Sequence, residues 1–173
     1  LSQRVPEYGA MWQRVLSGGT PVRLRQLVAT PTPKHITAAR ITYEMDRDLM
    51  YVFQHVHMGH QKRYQESFAE RFLHGADSDT LIPRLVRFVC CNWHPPNQVL
   101  GSDIVTRWAI IGWLLKSVHS EGALHAAHFA LFFDWFWFDP ATDNIMNIEP
   151  AVLLMFCSAE QYPDITAALM QFL

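Results

Sequence analysis

Basic excess, paired cysteines, long apolar runs and strand-like alternation are all missing from this chain, and each shortage removes a class of function. A net charge of −2 offers no general attraction to a phosphate backbone, so the usual footprint of a nucleic-acid binder is absent. Three cysteines, of which Cys90 and Cys91 are adjacent, make no disulfide framework and point to a reducing compartment. The longest apolar runs stop well short of the ~20 residues that span a bilayer. Trp108 to Leu115 is closed in by Arg107 and Lys116, and Asp134 interrupts Phe129 to Phe138. No charged-then-apolar leader follows Leu1, so no signal peptide is expected. No Met opens the chain, and the apolar run Ile165, Ala168, Leu169, Phe172 reaches its last residues without a stop signal. A longer parent protein is therefore expected.

Catalytic words are missing as well. There is no G-x-S-x-G elbow, no phosphate-binding G-x-x-x-x-G-K-[ST], no G-x-G-x-x-G and no HExxH. Neither an enzyme nor a cofactor is expected.

What remains is a chain that is half apolar and 17% charged, the composition of a folded domain with a sizeable core. Helical period dominates it. Tyr8, Met11, Trp12, Val15 and Leu16 share one face before Gly18-Gly19, and Thr20-Pro21 opens a short helix to about Ala29. Pro31 and Pro33 break it, and a turn carries Ile36 and Ala39. Thr42 caps a helix to about Met58, striped by Met45, Leu49, Val52, Phe53 and Val56, with Gly59 ending it. Tyr64, Phe68 and Phe72 mark the next helix, closed by Gly75. Asp77 to Asp79 offer caps for a third, with Ile82, Leu85, Val86, Val89 and Trp93 inward. After the break at His94-Pro95-Pro96, Ser102 or Asp103 is expected to cap a fourth helix through Val118. Apolar on nearly all sides, that helix reads as central, and Gly112 within it as a point of close approach. Ser120 caps a fifth helix through Phe138, Asn147 to Pro150 open another, and Tyr162-Pro163 the last.

The fold class expected is all-α. Paired helices open at Tyr43, Asp79 and Glu121, a spacing close to the ~40–47-residue period of HEAT repeats. The architecture expected is a HEAT-like α-solenoid of antiparallel helix pairs, with residues 1–173 as one helical-repeat region.

Several side-chain groupings invite chemistry. Cys90, Cys91 and His94 lie close together, yet a structural zinc needs four ligands, usually in C-x-x-C pairs, and Cys157 is distant and unpaired. They read as core thiols. His55, His57 and His60, and likewise His125 and His128, lack the carboxylate partners of a metal motif and read as structural histidines. Lys62 and Arg63, with Arg84 and Arg87 one turn apart on the following helix, are candidate partner contacts. Direct single-stranded nucleic-acid binding through those four is the alternative function. Lys62 and Arg63 also sit at a helix's positive end, where cations are mildly unfavourable unless a partner carboxylate compensates. Trp135 to Phe138 are four consecutive aromatics at about 100° steps. Trp135 and Phe138 fall on the core stripe with Leu131, which leaves Phe136 and Trp137 as candidate docking residues.

Longer words carry a resemblance. His60-Gln-Lys-Arg-Tyr-Gln, Leu85-Val-Arg-Phe, Asn97 to Asp103, Arg107-Trp-Ala-Ile-Ile-Gly-Trp-Leu-Leu, Ala130-Leu-Phe-Phe-Asp-Trp and Ile145-Met-Asn-Ile-Glu-Pro-Ala together resemble the Integrator complex subunit 3 family. Its members are also known as SOSS-A, from the sensor of single-stranded DNA (SOSS) complex. The resemblance runs from about Leu27 to the end. It implies a non-catalytic, nuclear helical-repeat scaffold whose amino-terminal half holds the OB-fold single-strand-binding protein SOSS-B and the small protein SOSS-C in DNA-damage repair. It also implies other Integrator subunits as partners, in small nuclear RNA processing and transcription attenuation. The OB-fold partner reads the DNA in that family, so no direct DNA contact and no membrane are expected here. No family motif assigns a partner contact to a particular residue of this chain.

Overall fold

The computed structural model describes residues 40–75 and 77–173, all within the second of the two units, 1–31 and 32–173, that divide the chain. The elements expected around Tyr8 to Leu16, Thr20 to Ala29 and Ile36 to Ala39 lie outside the described residues, as does the side chain of Trp137. Every regular element described is helical, apart from one isolated bridge between His57 and Ile104.

Helix α1, Tyr43–His55, starts where Thr42 Oγ1 accepts the amide of Met45 at 3.3 Å, with Glu44 and Asp46 at its positive end. Gly59 takes φ +92°, and α2 follows at Lys62–Phe72. Helix α3, Ser78–Cys91, points Leu81, Ile82, Leu85, Val86 and Val89 into the core. A single turn, α4 (Asn97–Leu100), precedes α5, Arg107–Lys116. Helix α6, Glu121–Trp137, is capped by Ser120, whose Oγ accepts from the amide of Ala123. After a 3-10 turn at Ile145–Asn147 come α7, Glu149–Gln161, and α8, Pro163–Phe172.

Helix α3 packs on α6 and α5, α5 also on α7, α7 on α8, and α1 on α2. Central placement of α5 follows from its composition. Ile110, Ile111 and Leu114 are fully buried, and an ideal Cβ on Gly112 would sit 3.2 Å from Leu154 Cδ1 of α7. Each such buried aliphatic side chain contributes about 1.5–3 kcal/mol.

Two boundaries differ from the expectation, for one reason. The fourth long helix begins at Arg107 rather than at Ser102 or Asp103, and α1 stops at His55 rather than near Met58. Between those points the two segments bond to each other: Met58 N donates to Asp103 O at 2.7 Å, and Val105 N to Val56 O at 2.8 Å. Ser102 Oγ is engaged locally, donating to Val99 O and accepting from Ile104 N. Asp79 is also used differently. Its carboxylate accepts the amides of His119 and Ser120 at 3.0 and 2.8 Å, tying the α5–α6 junction to the start of α3. Hydrogen bonds from Ser120 and His119 hold that carboxyl below its usual range.

Candidate protein-docking surface

The structure divides the expected basic residues between separate helices with different commitments. Lys62 is exposed and, among the described residues, pairs with Glu66 alone, at 3.8 Å along the same helix. Arg63 donates to the Tyr64 hydroxyl at 2.6 Å and lies 4.6 Å over its ring. Arg84 is exposed on α3 and makes no ion pair among the described residues. Arg87 is different. It meets Asp134 of α6 through two bonds of 2.7 and 3.1 Å, its side chain is 14% exposed, and it covers the Phe133 ring. Its guanidinium belongs to the frame between α3 and α6.

A second buried arginine is the centre of that frame. Arg107 opens α5 with its side chain 1% exposed. Its Nη1 donates to the carbonyls of Val89, Cys90 and Trp93 at 3.1–3.4 Å, at the carbonyl-rich end of α3. Its Nη2 donates to Met146 O and to Glu149 Oε2, both at 2.7 Å. Glu149 is the first residue of α7, where a carboxylate also favours the helix dipole. One guanidinium thus closes α3, starts α5 and fixes α7. Arg107 Nε and Thr106 Oγ1 are buried without a partner among the described residues, and both residues line a cavity of about 20 Å³, room for one water. In the sequence Arg107 and Asp134 stand out as charges beside or within apolar runs, and each lies in one of the longer family words. A lone charge at such a place was the available signal.

Cys90, Cys91 and His94 are held in the same frame, and other histidines are engaged elsewhere. Burial pushes the Cys90 thiol up to about 12 and the half-buried Cys91 higher still, so both stay protonated. Cys91 Sγ lies 3.4 Å from Asp134 Oδ2. His94 is clasped by two amides, Nε2 2.8 Å from Asn147 Oδ1 and Nδ1 3.1 Å from Asn144 Nδ2. His57 pairs with Asp103 at 2.8 Å, holding that carboxyl below its usual range. His128 is buried against Phe172, and burial, then nearby His125, depresses its basicity.

Aromatic side chains on α6 form a surface cluster. Phe136 is 42% exposed and lies tilted among the rings of Phe129, Phe132 and Phe172. Trp135 is 39% exposed, which corrects its assignment to the core stripe; Phe132 and Leu131 fill the core there instead. At about 100° per residue Trp135 shares the face of Leu131 and Phe132, but it stands in the last turn of the helix, where that face is no longer covered.

Comparison with known proteins places the whole chain. A family profile described as Integrator complex subunit 3 N-terminal matches residues 1–173. The chain is 43% identical to an Integrator complex subunit 3 homolog of Dictyostelium discoideum, over all of this chain and 12% of that protein. It is 41% identical to Integrator complex subunit 3 of Mus musculus and of Homo sapiens, over 98% of this chain and 17% of each relative. The chain therefore spans about a sixth or less of the length of these relatives.

Proposed function

The chain belongs to the Integrator complex subunit 3 family, and on that premise we propose that it is a non-catalytic, nuclear, protein-binding scaffold. Its relatives are named as subunits of the Integrator complex, which supports other Integrator subunits as partners. The finer reading extends this to the SOSS complex. The chain helps hold the OB-fold protein SOSS-B and the small protein SOSS-C, and serves DNA-damage repair, small nuclear RNA processing and transcription attenuation. HEAT-like stacking is part of the proposal. It is supported by long helices that pack on the next, or the next but one, along the sequence.

One observation carries the non-catalytic reading. The buried polar groups that chemistry would use are bonded to structural partners: Arg87 to Asp134, Arg107 to Glu149 and to helix-end carbonyls, His94 to two asparagines. Partner contact is assigned instead to exposed groups: Lys62, Arg63 and Arg84 for charge, Phe136 for apolar anchoring. The test is recovery of nuclear partners on the immobilised chain, with and without nuclease. Retention after nuclease, weakened by Phe136→Ala, is the expected result. Loss with nuclease, together with steeply salt-dependent binding of a thymidine oligonucleotide, would transfer the function to nucleic acid.

A further inference from the structure

A groove of about 560 Å³ runs over α5, between the α1–α2 turn on one side and α7 and α8 on the other. Such a volume lies within the ~300–1,000 Å³ usual for ligand sites. Trp108, Gly112 and Trp113 supply its floor, and Met58 and Tyr162 its walls. Met58 and Tyr162 are 39% and 44% exposed, so the apolar walls face solvent.

Among the described residues that line it, Lys116 alone is charged. Its ammonium lies 3.7 Å over the Tyr162 ring and meets no carboxylate among the described residues. That placement is informative. An aromatic face holds the cation at one end of an apolar trough, desolvated on one side and open on the other. A smaller cleft of about 240 Å³, sharing Trp113, differs in this respect: its cation, Arg71, is already on Asp48. A carboxylate arriving there would have to displace Asp48. At the groove, the uncommitted charge is positive and the rest of the lining is neutral. Outside the groove the charges are mixed: Lys62 and Arg63 adjoin it through Gln61, Glu66 through Gln65 and Asp164 through Ile165.

We propose that this groove docks an acidic peptide segment of a partner protein, with an aliphatic or aromatic side chain against Trp108 and Trp113 and a neighbouring carboxylate on Lys116. A nucleic acid fits less well. The Tyr162 face is occupied by Lys116, and one lining cation is few for a phosphate backbone. The inference rests on the scaffold reading above and gives the chemistry of one docking site.

The probe is the blocked peptide Asp-Glu-Leu-Phe-Asp-Glu, titrated into the chain while the indole N–H signals of Trp108 and Trp113 are followed by NMR. Both signals are expected to move. The Asn/Gln version of the peptide is expected to bind about fivefold more weakly, and Lys116→Glu, at an exposed position, to erase that preference while its melting temperature is unchanged. Arg47→Ala, at an exposed position of α1 outside the groove, is expected to leave the affinity as it is. Equal binding of acidic and neutral peptides, or no movement of the two indoles, overturns the proposal. So does a thymidine oligonucleotide that moves the same signals in place of the peptide. Nuclear partners recovered after nuclease, with no response to the peptide, would remove the groove and keep the scaffold. No recovered partner at all would remove the scaffold itself.

Discussion

Around α1 and α2 the ion pairs stand in water, whereas between α3, α5, α6 and α7 they are closed in. Lys62 with Glu66, His57 with Asp103 and Arg71 with Asp48 all keep at least one partner 43% or more exposed, and the seam beneath them is Met45, Leu49, Val52, Phe53 and Phe68. Arg87 with Asp134 and Arg107 with Glu149 are at most 22% exposed on either side. An exposed pair contributes about 0–1 kcal/mol, because solvent screens it and ordering two long side chains costs entropy. A buried pair gains little net stability over an apolar replacement, yet removing one partner strands the other at about 3–5 kcal/mol. The first region is therefore tolerant of change and free to meet partners. The second is intolerant and fixes geometry.

That contrast can be broken most severely at Arg107. Arg107→Met is expected to cost about 3–5 kcal/mol, since it strands Glu149 and uncovers the carbonyls at the end of α3. Thermal unfolding should show a drop of roughly 10 °C, at about 2–4 °C per kcal/mol for a chain of this size. Arg107→Lys should not rescue it, because an ammonium cannot fill the guanidinium fork. Unchanged melting would erase the difference between the regions.

Gly112→Leu comes next. Overpacking against Leu154 is expected to cost about 1–3 kcal/mol, read by urea unfolding, and a wild-type midpoint would mean α5 and α7 are not in close contact.

A smaller effect follows pH. Because the folded His128 is less basic than an unfolded histidine, the unfolded chain takes up the proton first. Stability should be full above about pH 6.5, and should fall as pH drops through that value toward the lower folded pKa. His128→Leu should flatten this part of the profile; an unaltered slope would assign it elsewhere.

Least of all, Lys62→Ala should change stability by under about 0.5 kcal/mol, as its exposed pair with Glu66 allows. A larger loss would mean that the α1–α2 region uses its charges as the other does.

Local signals were legible in the sequence, and non-local ones were not. Thr42 and Ser120 cap the helices they were expected to cap, Pro163 opens the last, and the stripes of α1 and α3 are buried except for Trp93, which lies past the end of α3 and is partly buried. The segment from Ser102 to Val105 misled because its amides and carbonyls bond to Val56 and Met58, more than forty residues away. Trp135 misled because spacing gives the face a residue takes but not whether neighbouring elements reach the last turn of the helix. Lys62, Arg63 and Arg84 are exposed as partner contacts require, while Arg87 is engaged by an aspartate that only the fold brings near. Arg107 was visible as a charge beside an apolar run, but nothing local told that the words Arg107-Trp-Ala-Ile-Ile-Gly and Ile145-Met-Asn-Ile-Glu meet at that one side chain.

The meeting of those two words is the central structural claim, and a double-mutant cycle on Arg107→Met and Glu149→Gln tests it most directly by equilibrium urea unfolding. The frame predicts strong non-additivity, with the double variant losing at least ~1 kcal/mol less than the sum of the single losses, because each single change already strands the other partner. Additivity within about 0.5 kcal/mol would mean that the two residues act independently, and the frame would not exist.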